Sequence, residues 1–224
     1  MKKILSVAVL GSTGYVGLEL VKILIRHPNI QIKFLGCENS PSKDIREFDQ
    51  NIVIDTLPKL DLNNNFDPKN YDLVFLSLPH GVSHKFVKNF NRKIKIIDLS
   101  ADFRLDSEKL YSKNYNNDHA CPELLNQFIY GLPEINKDVL NTNFDVAVPG
   151  CYPTSVLIPL IPLLEKNLIK TDNIIIDSKS GYSGAGKKFD LNNIKNKLEF
   201  NFYNYNTNEH RHICEIQQEL DKHS

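Results

Sequence analysis

A cysteine set among glycine and prolines, Pro149-Gly150-Cys151-Tyr152-Pro153-Thr154, lies between a β-like run and a long apolar stretch of helical character. A thiol at the start of a helix meets the helix's positive end, which favours the nucleophilic thiolate. The competing fate of a lone cysteine is burial as a small apolar residue. Cys37 follows a strand-like run, Cys121 precedes Pro122 in a polar region, and Cys214 falls in a helical pattern, so none shares this setting. A thiolate nucleophile needs a group that moves protons near neutral pH, and His210-Arg211-His212 ahead of Glu215 offers two imidazoles. Two residues apart on a helix they would not share a face, so a zinc pair is not indicated and a surface feature is the alternative. The four cysteines show no C-x-x-C spacing. Neither a metal site nor a disulfide framework is expected, and free thiols fit the cytoplasm.

A second kind of chemistry is written in Gly11-Ser12-Thr13-Gly14-Tyr15-Val16-Gly17, which follows a strand-like run and opens a helical one. This is a variant of the dinucleotide-binding turn. Its glycines let backbone approach a pyrophosphate, and the helix N-terminus supplies free N–H groups. A plain strand-to-helix turn is the alternative. Glu38, near the end of the second strand, suits the ribose hydroxyls of NAD, whereas Ser40, Ser42 and Lys43 suit a 2′-phosphate. Ser180-Gly181-Tyr182-Ser183-Gly184-Ala185-Gly186-Lys187 is not a Walker loop, because Lys188 stands where Ser or Thr would hold magnesium. It can still wrap a ligand through backbone N–H groups. Asp98–Arg104 follows a further strand, and Arg104 suits a carboxylate or phosphate, or else a salt bridge to Asp102.

These segments need a scaffold, and the hydrophobic pattern supplies one. Ser6–Leu10, Ile30–Leu35, Leu73–Leu78 and Ile94–Leu99 read as strands, with helices from Gly14 to near His27 and over Val82–Phe90. The apolar positions Val16, Leu20, Ile23 and Leu24 set the first helix's period. Strands alternating with helices predict a doubly wound parallel sheet. Asp61–Asn70 reads as an Asn-rich loop. After about residue 145 come a strand over Phe144–Val148 and a helix over Ser155–Leu168 kinked or broken by Pro159 and Pro162. Strands at Ile174–Ile176 and Phe202–Tyr205 and a helix over Glu209–Leu220 complete the pattern.

Composition excludes other classes. The chain is 41% apolar and 24% charged, near the globular average, and 224 residues make one large domain or two modest ones. Twenty-seven basic residues balance 27 acidic ones, so there is no bulk attraction to nucleic acid or anionic lipid. No apolar run approaches the ~20 residues of a membrane helix. The basic, then apolar N-terminus enters a glycine turn without a cleavage site, unlike a secretory signal.

Taken in order, GSTGYVGLEL (11–20), SLPHGVS (77–83), DLSADFR (98–104), YGLPE (130–134), PGCYPT (149–154), SGYSGAGKK (180–188) and NEHRHICEI (208–216) resemble the N-acetyl-gamma-glutamyl-phosphate reductases of arginine biosynthesis, relatives of the aspartate-semialdehyde dehydrogenases. The resemblance covers the whole chain, and PGCYPT lacks the Asn that aspartate-semialdehyde dehydrogenases carry before the nucleophile. An acetylaminoadipyl-phosphate reductase of lysine synthesis looks similar. The resemblance implies an α/β fold, with a Rossmann-like NADP-binding domain over 1–148 and an incomplete α+β catalytic and dimerisation domain over 149–224. It implies Cys151 as nucleophile and His210 as acid/base. Gly11 to Gly17, Ser40, Pro79, His80, Gly81, Ser183 and Gly184 are then expected at NADP. Arg104, Lys187 and His212 are expected at a small acyl-phosphate substrate. Nucleic-acid and membrane partners are not expected; a homo-oligomer is. Cys214 replaces a Pro usual in the last motif, and the chain is shorter than members of that family. Truncation implies weak NADP binding, self-association and little activity, or a non-catalytic nucleotide-binding protein.

Overall fold

The first apolar run forms strand β1 (Leu5–Leu10). It is continuous because both faces are covered. Ala8 and Leu10 join one buried cluster with Phe34, Val74 and Leu76, and Val7 and Val9 join another with Leu18, Val21 and Leu24. The computed structural model describes residues 3–54, 56–90, 94–140, 145–187, 202, 204–207 and 209–223. The chain forms two compact units, Met1–Pro149 and Gly150–Ser224.

In the first unit β1 is followed by α1 (Tyr15–Leu24), β2 (Ile30–Cys37), β3 (Leu60–Leu62), β4 (Leu73–Leu76), α2 (Ser83–Lys88) and β5 (Lys95–Asp98). Then come α3 (Glu108–Tyr115), β6 (Phe128–Tyr130), α4 (Pro133–Leu140) and β7 (Asp145–Ala147). The seven strands stand in the order β3-β2-β1-β4-β5-β7-β6, every neighbouring pair parallel. The fold is therefore the expected α/β, doubly wound one. The chain runs outward from β1 through β2 to β3 and returns on the other side of β1 with β4. The carboxyl ends of β1 and β4 thus flank the topological switch point, where ligands of such sheets bind.

Some expectations change. Helix α1 buries Gly17, Leu18, Val21 and Leu24, whereas Val16 and Ile23 face outward. The Asn-rich stretch is only partly loop: Asp61 and Leu62 belong to β3, and Asn63–Asn65 and Pro68–Asn70 are short 3-10 turns. Strands β3 and β6 escape sequence pattern because each is a three-residue edge strand, too short to show a period. Phe144 lies outside the described residues, and the strand there is Asp145–Ala147.

In the second unit α5 (Cys151–Glu165) packs against α6 (His212–Asp221). Helix α5 begins four residues earlier than expected and runs through Pro159 and Pro162, both on its exposed side, without a break. Pro153 sits in the first turn, where a missing N–H costs no intrahelical bond. Ile174–Ile176 is not a strand, and Ile175 is 94% exposed. A strand needs a ladder partner, and among the described residues none pairs with it. Tyr203 lies outside the described residues, and Phe202, Asn204 and Tyr205 are not in a strand. Among the described residues no helix is long and apolar enough to cross a membrane.

Candidate active site

The candidate residues fall into two groups, one in each unit. In the first, β1 ends at Leu10 and the chain turns at Gly11, whose φ of +72° is the left-handed region that glycine tolerates. A side chain on Gly11 would also strike the Ser77 carbonyl beyond β4, and one on Gly17 would strike Gly11 and Ser12. Gly14 differs. Its backbone is extended, and a Cβ there would meet only the Gly11 carbonyl, at 3.5 Å. The protein's own packing does not require this glycine. Gly14 precedes helix α1, which has no side-chain cap and no acidic residue in its first turn. Space, free N–H groups and a positive helix end therefore coincide, which fits a dinucleotide pyrophosphate.

Ser12 lies at the base of the turn. It is fully buried, and both its N–H and its hydroxyl donate to the Gly36 carbonyl, at 2.8 and 2.9 Å. It ties the turn to β2 and offers a ligand no side-chain donor. Thr13, Tyr15 and Val16 lie at the surface end of the turn. Asn63, which sequence reasoning missed, holds the turn from the β3 side: its Oδ1 accepts the Gly11 N–H at 3.0 Å. After β2, Glu38 and Lys43 are exposed, Ser40 is half-buried, and Ser42 is left-handed at φ +68°. Lys43 Nζ lies 3.7 Å from Glu47.

Pro79–Gly81 follow directly on Ser77, whose N–H donates to Leu10 O at 2.9 Å across the switch point. Pro79 is exposed, His80 half-buried and Gly81 buried with φ +78°. Arg104, expected at the substrate, is 5% exposed and donates through Nε to Val148 O (2.6 Å) and through Nη2 to Leu99 O (3.0 Å). These bonds link the ends of β5 and β7. Beside it, fully buried Asp98 is pushed up to about 6 by burial and then by the neighbouring Asp102, against bonds from Ser100. A carboxyl held above its unfolded value binds a proton in the native state that the unfolded chain has released. Its contribution to stability therefore falls as pH rises from about 4 to about 6, by on the order of 2–3 kcal/mol. Asp98→Asn cannot titrate. In urea unfolding from pH 4 to 7, wild type should lose that much stability relative to Asp98→Asn, and a pH-independent difference would contradict the assignment.

In the second unit Cys151 is the first residue of α5 and is exposed. Its neighbour Gly150 is the N-cap, and the Gly150 N–H donates at 2.9 Å to Oε1 of fully buried Glu215. The Gly150 carbonyl accepts from both the N–H and the hydroxyl of Thr154, at 2.9 and 2.8 Å. The peptide on the N-terminal side of the thiol is thus fixed from both ends. Glu215 was not singled out as a site residue, yet a signal was present. His212, Glu215 and Glu219 recur at helical spacing and form a buried polar stripe on α6.

His210 Nδ1 accepts the His212 N–H at 3.1 Å, so the neutral ring carries its proton on Nε2, which faces the Tyr205 hydroxyl at 3.4 Å. Tyr205 O–H donates to Tyr152, and Tyr152 O–H to Ser180, both at 3.1 Å. Burial, and then Arg211, holds His210 below the ordinary histidine range. The Tyr205 phenol is pushed up to about 12, chiefly by burial and the Tyr152 bond, with the Cys151 charge among the further causes. The Tyr152 ring, next to Cys151 in the chain, meets the Tyr205 and His210 rings at centroid distances of 6.3 and 5.2 Å, so the three residues share one locality. His212, expected at the substrate, is buried and packs against the rings of Tyr152 and His210. Ser183 and Gly184 lie in an exposed 3-10 turn, Tyr182–Ala185, and Lys187 is exposed beyond it. Lys188 and Asn208 lie outside the described residues.

Comparison with known proteins finds family-model matches in both units. Residues 6–143 match the family model for the semialdehyde dehydrogenase NAD binding domain, and residues 151–224 match that for the semialdehyde dehydrogenase dimerisation domain. The chain is 44% identical over 219 residues to an N-acetyl-gamma-glutamyl-phosphate reductase of Ehrlichia canis, covering 96% of this chain and 62% of that one. It is 41% identical to the protein of that name from Acinetobacter baylyi, covering 97% and 63%. With a probable chloroplastic N-acetyl-gamma-glutamyl-phosphate reductase of rice the identity is 39%, covering 96% and 52%. The chain thus spans less than two thirds of the length of these relatives. Among solved structures, aspartate semialdehyde dehydrogenase II of Vibrio cholerae shares the fold, with a TM-score of 0.58 at 19% identity over 84% of this chain and 49% of that one.

Proposed function

The chain belongs to the semialdehyde dehydrogenase family, and from that premise we propose that it carries the NADPH-dependent reduction of N-acetylglutamyl 5-phosphate to the semialdehyde, with release of phosphate. The observation that carries this reading is Cys151, exposed at the first position of α5 in a turn held by Glu215, with the neighbouring Tyr152 ring 5.2 Å from that of His210.

The Cys151 thiolate attacks the acyl carbon, the bond to phosphate breaks, and a thioester remains on the sulfur. When bound, the nicotinamide supplies the hydride that reduces this acyl group. The tetrahedral adduct then collapses to the aldehyde and frees the thiolate. Backbone N–H groups in the first turn of α5 lack intrahelical acceptors and face the oxyanion. His210 moves the protons, with Nε2–H as the one its neutral ring can give. Lys187 supplies positive charge for the substrate phosphate or carboxylate, and the Ser183–Gly184 turn closes over the reacting groups. Gly11, Thr13, Gly14, Tyr15, Val16 and Gly17 hold the pyrophosphate side of NADP, Pro79, His80 and Gly81 line it, and Ser40 with Lys43 takes the 2′-phosphate. The dimerisation-domain match supports a homo-oligomer. Four free cysteines fit a cytoplasmic setting.

The test follows NADPH formation from phosphate and N-acetylglutamate semialdehyde, with the one-methylene-longer N-acetylaminoadipate semialdehyde and NAD as comparisons. The expected result is turnover with the shorter aldehyde and a preference for NADP of at least about tenfold, since a charge-assisted contact is worth roughly 1.5–3 kcal/mol. Faster turnover of the longer aldehyde would favour the lysine-pathway relative. Cofactor binding without turnover of either would favour a non-catalytic nucleotide-binding protein.

A further inference from the structure

One buried carboxylate in the first unit has, among the described residues, no cation in its hydrogen-bond pattern, and two of its three bonds serve one turn. Asp102 is fully buried. Its Oδ1 accepts the Gly81 N–H at 2.8 Å and the Tyr111 hydroxyl at 2.8 Å, and its Oδ2 accepts the His84 N–H at 3.1 Å. Two of these three donors are backbone groups of the segment that leaves β4 and enters α2. The adjacent Ala101 N–H donates at 2.9 Å to His80 Nδ1, in the same segment. The Asp102 N–H is fixed in turn by Ser100 Oγ at 3.1 Å, and the Asp102 carbonyl by His119 Nε2 at 2.9 Å. The carboxylate is itself anchored before it anchors the turn.

The rings around it are neutral donors and spacers. His84 Nδ1 accepts the Ala120 N–H at 2.8 Å, and burial holds this ring below the ordinary histidine range. His119 is lowered by burial as well and stacks on His84 with centroids 4.8 Å apart. Burial and Asp102 together push the Tyr111 phenol upward, so it stays a donor. A carboxylate in such surroundings is held by N–H and O–H dipoles rather than by an ion pair. Gly81 needs that grip. Its φ of +78° lies in the left-handed region, and a side chain there would press on Asn117. The Ser77–Leu78 segment that leads into this turn abuts Gly11 across the switch point.

We propose that Asp102 is a positioning residue for the cofactor: it holds the His80–Gly81 turn in the shape that meets a dinucleotide approaching over Gly11–Gly17. The proposal rests on the reading that this turn lines NADP. Asp102 does not touch the cofactor; it acts through the Gly81 and His84 amides.

Titration of NADPH into the full chain tests it, using wild type, Asp102→Asn and Tyr111→Phe. Tyr111→Phe removes one bond to the same carboxylate but none to the turn. It should lower the urea midpoint while leaving the NADPH Kd within about twofold. Asp102→Asn presents an N–H where one of the two turn amides sought an acceptor, and should raise the Kd at least tenfold. Amide exchange in wild type provides an arm without mutation: the Gly81 and His84 amides should be protected before NADPH is added, and more so after. If Asp102→Asn fails to fold, this arm decides. Unprotected Gly81, or a folded Asp102→Asn that binds NADPH like wild type, overturns the proposal while leaving the cofactor reading standing. Wild type that binds no NADPH overturns both, even where Gly81 is protected.

Discussion

Replacing Cys151 with serine is expected to lower turnover by roughly 10⁴-fold or more, because the acyl intermediate then has no competent sulfur to form on. The NADPH Kd should stay within twofold, since the thiol lies outside the glycine turn. The same residue should react first with iodoacetamide near neutral pH when labelled peptides are mapped by mass. Three features set that order. Cys151 is exposed at a helix start, Cys37 and Cys121 are almost fully buried, and burial pushes the Cys214 thiol up. First labelling at any other cysteine in folded protein, or undiminished turnover in the serine variant, would remove Cys151 from the mechanism. The two measurements are independent. Labelling reports the thiol's environment even where the chain's catalytic rate is low.

What the sequence reveals of this site follows from how local each interaction is. The turn at Gly11–Gly17 is legible because three glycines stand within seven residues between a strand-like and a helical run, although packing requires only Gly11 and Gly17. Cys151 is legible because a strand, a glycine and a helix follow one another in the chain. Glu215, Asn63 and Asp102 are not legible in the same way. Glu215 reaches Gly150 over a separation of 65 residues, Asn63 reaches Gly11 over 52, and Asp102 reaches Gly81 over 21. In each, an unremarkable polar residue takes a backbone N–H whose position only the folded sheet or helix pair creates. Arg104 and Ser12 show the converse. Both types suit ligands, and the structure turns the Ser12 hydroxyl to Gly36 O and two Arg104 N–H groups to Val148 O and Leu99 O, because buried backbone acceptors must be satisfied. The parallel sheet was readable from its long central strands. Its short edges, β3 and β6, were not, because pairing and not pattern makes them strands.

The glycines of the first turn separate a folding requirement from a binding one. Gly11→Ala should destabilise the chain by about 3 kcal/mol, since a left-handed alanine costs about 1–2 kcal/mol and its Cβ collides with the Ser77 carbonyl. Gly14→Ala should leave stability within about 1 kcal/mol. Alanine accepts the extended backbone there, and the entropy it removes from the unfolded chain offsets its poorer fit at a helix N-cap. Yet the added methyl fills the space in front of the α1 N-terminus, where a phosphate must come within hydrogen-bond distance of backbone N–H groups. The NADPH Kd should therefore rise at least tenfold, about 1.4 kcal/mol, in a protein that unfolds at nearly the wild-type urea concentration. Lost binding in Gly11→Ala alone would say only that the turn is needed for folding. Lost binding in Gly14→Ala without lost stability would say that a ligand occupies that space. Wild-type affinity in Gly14→Ala would place the pyrophosphate elsewhere and remove the Gly11–Gly17 turn from the cofactor site.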